Sequence, residues 1–379
     1  MGARSWLRRV ATIAAVTAAA MLSSGCAVWR SGGLFDSSQA IGGPCRRIAT
    51  PAGGPEDIAV DPRGGVFVSA SDWRTRAARK LPARGAIYRL DFDARGELRR
   101  TDVTPVAPAD FQPHGIDLWI GPDGEARLFV INHPLAAPSR VEIYRLGEGG
   151  RLEQTGEGGA WDELHRPNDI AATGPASFFA TNDHDVPRIG WFRPSPWERI
   201  EDITGWRGGS VVRVRDGKAK VVARGFALAN GIALSPDRRL YVAESALGYV
   251  QILEDLEAGD LRRVGELDVG PGPDNLTFDA EGALWIGAHN NGLALLRHAG
   301  SDRIPSPGRV ARIALPQKTP TIVYQSGMAE LRREPPVGLS SVSVGAPDGR
   351  GGVIVGNIFT PAVEHCPAAA RPQQTAARR

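Results

Sequence analysis

Residues 230–244 read Asn230-Gly231-Ile232-Ala233-Leu234-Ser235-Pro236-Asp237-Arg238-Arg239-Leu240-Tyr241-Val242-Ala243-Glu244. A polar pair opens an apolar run, Ser-Pro-Asp signals a turn, and a second apolar run ends in small or polar residues. The stretch therefore reads as strand, turn, strand. Its second strand recurs as Val66-Phe67-Val68-Ser69, Leu128-Phe129-Val130-Ile131-Asn132 and Phe178-Phe179-Ala180-Thr181-Asn182, and again as Leu284-Trp285-Ile286-Gly287 and Val353-Ile354-Val355-Gly356. From Val66 to Val353 the chain advances 287 residues in five intervals, about 57 per repeat. That length holds four short strands and their turns, one blade of a β-propeller. The count predicts an all-β, six-bladed β-propeller.

The polar pair recurs too, as Glu56-Asp57-Ile58, His114-Gly115-Ile116, Asn168-Asp169-Ile170, Asn230-Gly231-Ile232 and Asp274-Asn275-Leu276, with Ser340-Ser341-Val342 as the sixth. Equivalent positions in a ring of blades lie at equal radius. If the pairs head the innermost strands, Glu56, His114, Asn168, Asn230, Asp274 and Asn275 converge on one mouth of the central channel.

Composition agrees with this. Gly (46) and Pro (29) are abundant in the 379 residues, as a turn-rich fold requires. The 45 basic and 42 acidic residues nearly cancel, which argues against a nucleic-acid partner. Three Cys rule out a Cys₄ metal site. Arg4, Arg8 and Arg9 precede an uncharged apolar run from Val10 to Leu22, too short to span a bilayer and suited to a signal peptide over 1–26. It ends in Leu22-Ser23-Ser24-Gly25-Cys26, similar to a bacterial lipobox except at Ser23, so Cys26 is the expected lipidation site. The chain is then exported to the bacterial cell envelope or periplasm, touching membrane only through that anchor. A tether over 27–44, the propeller over 45–366 and a disordered tail over 367–379 complete the organisation. Cys45 and Cys366 flank the repeat array, and a disulfide between them would close the ring, which export permits.

A cluster of Glu, Asp and Asn oxygens with scarcely any His is hard-cation chemistry. Ca²⁺ takes oxygen ligands including amide carbonyls, whereas Zn²⁺ prefers His and Cys. Glu56, Asn168, Asn230, Asp274 and Asn275 would hold one such ion, and Asp57 and Asp169, on the other face of their strands, a deeper one. His114 and His133 lie in apolar settings in the second repeat and are placed to activate water. His184 and His289 end other strands near the same mouth and are expected to line the pocket.

From Cys45 to Cys366 these motifs resemble the paraoxonase/arylesterase family of calcium-dependent propeller lactonases. The resemblance rests on Gly54-Pro55-Glu56-Asp57, Pro113-His114-Gly115-Ile116, Asn132-His133-Pro134, Pro167-Asn168-Asp169-Ile170, Thr181-Asn182-Asp183-His184, Ala229-Asn230-Gly231-Ile232, Asp274-Asn275 and Trp285-Ile286-Gly287-Ala288-His289. It implies two Ca²⁺. Glu56, Asn168, Asn230, Asp274 and Asn275 would bind the catalytic ion, and Asp57, Asp169 and the Ile116 carbonyl a structural one. His114 and His133 match the family's histidine dyad, Asp183 and His184 match residues near its active site, and Cys45–Cys366 matches its closing disulfide. The implied activity is hydrolysis of lactones and aryl esters. Departures fall at Ser71 to Lys80, at Leu228 and at Val186 to Gly209, an aromatic segment (Trp191, Phe192, Trp197, Trp206) suited to a lid. Three other readings of the propeller remain: a gluconolactonase-like enzyme acting on sugar lactones, a metal-free strictosidine-synthase-like enzyme, and a binding module of the cell envelope.

Overall fold

Runs such as Val66-Phe67-Val68 are apolar at every position because each strand alternates its side chains between two neighbouring sheets. A computed structural model of the chain describes residues 38–368, apart from 79, 107, 186–200, 202–203, 256–258 and 316–317. The signal peptide, Cys26, most of the tail and most of the expected lid segment lie outside the described residues.

The strands form six four-stranded antiparallel sheets, the blades of a six-bladed propeller. Their inner strands are Gly54–Val60, Pro113–Ile120, Pro167–Gly174, Ala229–Leu234, Pro273–Phe278 and Val342–Pro347. Instead of one core there are six, each a wedge between adjacent blades. Val66 and Val68 of blade one pack against Val344 and Ile354 of blade six, while Phe67 packs against Leu128 and Val130 of blade two. The four other wedges continue the ring.

Blade six is built from both ends of the chain. Arg46–Ala49 is its outermost strand, paired with Ala362–Cys366 from Arg46↔His365 to Ala49↔Ala362. The expected Cys45–Cys366 disulfide is present beside that pairing, with a sequence separation of 321. The outer end of the expected tether is held as well. Ile41 pairs with Gln325 of blade five, and Asn290 Nδ2 donates to Ser38 Oγ at 2.9 Å. Among the described residues no helix is long and apolar enough to cross a membrane.

Candidate active site

Every inner strand carries a β-bulge at its polar pair. Pro113 faces Asn132 and Ile116 faces Val130, so His114 and Gly115 share one partner position. The same shift occurs between Pro55 and Asp57, Pro167 and Ile170, Ala229 and Ile232, Pro273 and Leu276, and Val342 and Val344. A bulge re-aims side chains that a regular strand would alternate. The sixth polar position is therefore Ser343, not the Ser340-Ser341 pair expected from sequence. Ser343 sits in blade six's bulge, where its hydroxyl donates to the Glu56 carbonyl at 2.7 Å.

The bulges bring Glu56, Asn168, Asn230, Asp274 and Asn275 together at the channel mouth. Asn275 Nδ2 donates to both the Glu56 carbonyl and Glu56 Oε1 at 2.9 Å. Asp274 Oδ2 lies 2.8 Å from His289 Nε2. Four buried oxygens in this cluster have no hydrogen-bond partner: Glu56 Oε2, Asn168 Oδ1, Asn230 Oδ1 and Asn275 Oδ1. Each unmade hydrogen bond of a buried polar atom costs about 1–3 kcal/mol. All four are acceptors, one from each of four blades, the donor set a hard cation takes.

Close backbone approach makes this convergence possible. A Cβ on Gly231 would lie 2.3 Å from the Asp274 carbonyl oxygen. Gly231→Ala is therefore expected to cost about 1–3 kcal/mol by overpacking and, by displacing Asp274, up to about 10²-fold in kcat/KM. A thermal melt and initial rates check this; an unchanged variant would mean that the two strands have slack.

One step farther along the channel, Asp57 and Asp169 are buried and each spans two blades. Asp57 accepts from Ile58 N at 2.8 Å and Ile116 N at 2.7 Å, and Asp169 from Ile170 N at 2.8 Å and Ile232 N at 2.7 Å. Burial pushes both carboxyls well above the usual carboxylate range. The Glu56 charge adds to this at Asp57, and the Asp57 charge at Asp169. A third carboxylate, Asp117, was missed by sequence reasoning. It accepts from Leu118 N at 2.8 Å and Ala172 N at 2.7 Å, and burial pushes it up to about 6. Its signal was its register: Ala59, Ala171 and Ala233 stand at the equivalent positions of their strands, so an acid there is out of pattern. Asp117, Asp169, Ile116, Ile232 and Thr277 help line a cavity of about 140 Å³. Among the described residues no Lys, Arg or His pairs with any of the three acids.

On the mouth side, His114 Nδ1 lies 3.0 Å from His133 Nε2, and His133 Nδ1 lies 2.7 Å from Ser139 Oγ. His114 Nε2 faces Glu56 Oε2 at 3.4 Å. The predicted imidazole pair is thus assembled beside the oxygen cluster. Helix α1 (Trp73–Ala77), capped by Asp72 through Thr75 N, covers it. The Trp73 ring lies 4.7 Å from that of His114, and the Arg76 guanidinium lies over Trp73 and donates to the His133 carbonyl at 3.2 Å. Asp183 and His184, which follow strand Ser177–Asn182 of blade three, are held by buried Arg166, whose Nε donates to Asp183 Oδ1 at 3.0 Å. His184 Nδ1 lies 3.0 Å from Asp183 Oδ1.

An imidazole pair beside a cluster of acceptor oxygens, on a six-bladed propeller, is an arrangement able to accept a proton from water. The arylesterase family profile matches residues 54–331. The chain is 32% identical over 280 residues to chicken serum paraoxonase/arylesterase 2, covering 72% of this chain and 76% of that protein. It is also 32% identical over 274 residues to human serum paraoxonase/lactonase 3, covering 71% and 75% respectively. This chain belongs to the arylesterase family and is an ester-hydrolysing enzyme. Among solved structures, a putative gluconolactonase at 17% identity has a TM-score of 0.51, covering 86% of this chain and 92% of that one. A luciferin-regenerating enzyme at 15% identity has a TM-score of 0.50, covering 86% and 96%. At those identities the likeness is one of fold alone.

Proposed function

We propose that this enzyme hydrolyses lactones and aryl esters with Ca²⁺ bound at the channel mouth, and that a second Ca²⁺ sits deeper. The amide oxygens of Asn168, Asn230 and Asn275, which accept no hydrogen bond among the described residues, and Glu56 Oε2, which faces only His114, carry this reading beside a linked imidazole pair. Those residues and Asp274 would hold the first ion, and Asp57, Asp169 and the Ile116 carbonyl the second. When bound, Ca²⁺ polarises the ester carbonyl and offsets the negative charge that develops on its oxygen.

The chain's own groups do the proton work. His133 engages Nδ1 of His114, which leaves His114 Nε2 as the base that takes a proton from water. The water oxygen bonds to the carbonyl carbon, the ester C–O bond breaks, and the proton passes to the leaving oxygen. A lactone yields a hydroxy acid, and an aryl ester yields an acid and a phenol. Trp73, packed against His114, presents an aromatic surface that favours apolar acyl and aryl groups over sugar lactones.

The test is hydrolysis of a panel of aliphatic lactones and aryl acetates with Ca²⁺ and after EGTA. Turnover is expected to vanish with EGTA and return with Ca²⁺. The melting temperature should rise with Ca²⁺ concentration, because the ion binds only the folded ring. Turnover indifferent to EGTA would remove the cation from the reaction.

A further inference from the structure

Helix α1 is tied across the mouth by the residue after Trp73. Arg74 Nη1 donates to the His298 carbonyl at 2.6 Å, and Arg74 Nη2 lies 3.2 Å from His298 Nε2. His298 is buried on helix α2 (Gly292–Gly300), which follows Leu284–His289, the second strand of blade five. A guanidinium has donors only, so His298 Nε2 must present its lone pair to Arg74. The other ring nitrogen, Nδ1, lies 2.6 Å from the Ile304 carbonyl, which can only accept. Both edges of the ring thus demand the neutral Nδ1–H tautomer. Phe359 of blade six closes a third side, its ring 5.6 Å from that of His298 and 4.9 Å from the Arg74 guanidinium.

We infer that Arg74 and His298 are positioning residues forming a proton-sensitive latch, which holds α1 and its Trp73 over His114 while His298 is neutral and releases them when His298 takes a second proton. Protonated Nε2 would set N–H against N–H and charge against charge at the 3.2 Å contact, turning a hydrogen bond into a repulsion. The significance of the latch rests on the proposed role of His114; its existence does not.

The charged and titratable groups facing His298 are Arg74 from α1, Asp302 from the turn after α2, and His289 from the preceding strand. Burial holds the imidazole below its ordinary value. The Ile304 acceptor and Asp302 oppose that, and Arg74 and His289 reinforce it. Asp72 and Asp302 also face Arg74. A lowered value means that the latch is shut at neutral pH and opens only as pH falls below the ordinary His range near ~6.5.

Amide hydrogen exchange over residues 73–80, corrected for intrinsic pH dependence, tests this at pH 7.5 and pH 5.5. Its probes are the Arg76 and Ala78 amides, which donate to the Asp72 and Arg74 carbonyls. The wild type should lose protection at least about fivefold at the lower pH. Arg74→Met should exchange at the faster rate at both values. His298→Gln, which offers an amide oxygen to Arg74 and an N–H to Ile304, should stay protected at both. Protection in the wild type that ignores pH, or that survives in Arg74→Met, overturns the inference. The wild-type comparison decides even if a variant fails to fold. Because exchange does not depend on turnover, failure of the latch and failure of the hydrolytic reading are separable.

Discussion

Replacing His114 with Gln is expected to lower kcat by about 10²–10⁴-fold while KM stays within a few-fold. Glutamine has similar reach and preserves a polar contact with His133, but it takes no proton at neutral pH. The loss should therefore fall on the proton-transfer step and spare substrate binding. His133→Gln should cost less, since His133 acts through the 3.0 Å contact with His114 Nδ1 and keeps that ring oriented. Steady-state kinetics on one lactone and one aryl ester measures both. Full kcat in the His114 variant would assign the base elsewhere, with His289, in contact with Asp274, as the next candidate to test.

The second large effect concerns stability. Cys45 and Cys366 are 321 residues apart, so their bridge constrains nearly the whole described chain. The chain-entropy treatment, whose mechanism is disputed, assigns roughly 5–6 kcal/mol to a loop of that size, and loss of native disulfides usually costs about 2–5 kcal/mol. Cys45→Ser and Cys366→Ser are each expected to destabilise by about 2–5 kcal/mol, and reduction of the wild type should reproduce the shift. The outer strand Arg46–Ala49 should become exchange-labile first, because its one strand neighbour is Ala362–Cys366. Equal melting temperatures for the oxidised and reduced protein would show that the wedge between blades six and one closes the ring unaided.

The propeller was legible in the sequence because all six blades repeat one local solution: a bulged polar pair, an apolar strand, a turn and a second strand. The clustering of Glu56 with Asn275 could be foreseen for the same reason, since equivalent positions in a ring point to one axis. The sixth blade misled because Ser340-Ser341-Val342-Ser343 allows more than one register, and the pairing Val344↔Gly356 chooses between them only in three dimensions. Alternation along a regular strand predicted opposite faces for Glu56 and Asp57; the bulge between Pro55 and Asp57 modifies that geometry. Asp117 was passed over for another reason. Its partner, Ala172 N, is 55 residues away, so an acid that is out of pattern in its strand has no assignable role until the neighbouring blade is in place. Helix α1 escaped because five residues give no periodicity to read, and Asp72, its cap, looks like any loop acid.

The hydrogen bonds around Glu56 come from the far end of the chain. Asn275 of blade five and Ser343 of blade six both reach back to its carbonyl, across the seam where the ring closes. A ribosome delivers Glu56 among the first of the propeller's residues, yet its surroundings are finished only when the last blade arrives. A chain truncated before Ser343, or one whose terminal strands failed to meet, would hold most of the cage residues without holding them in place. Activity in this molecule is thus a certificate of complete synthesis and closure, withheld from every unfinished copy.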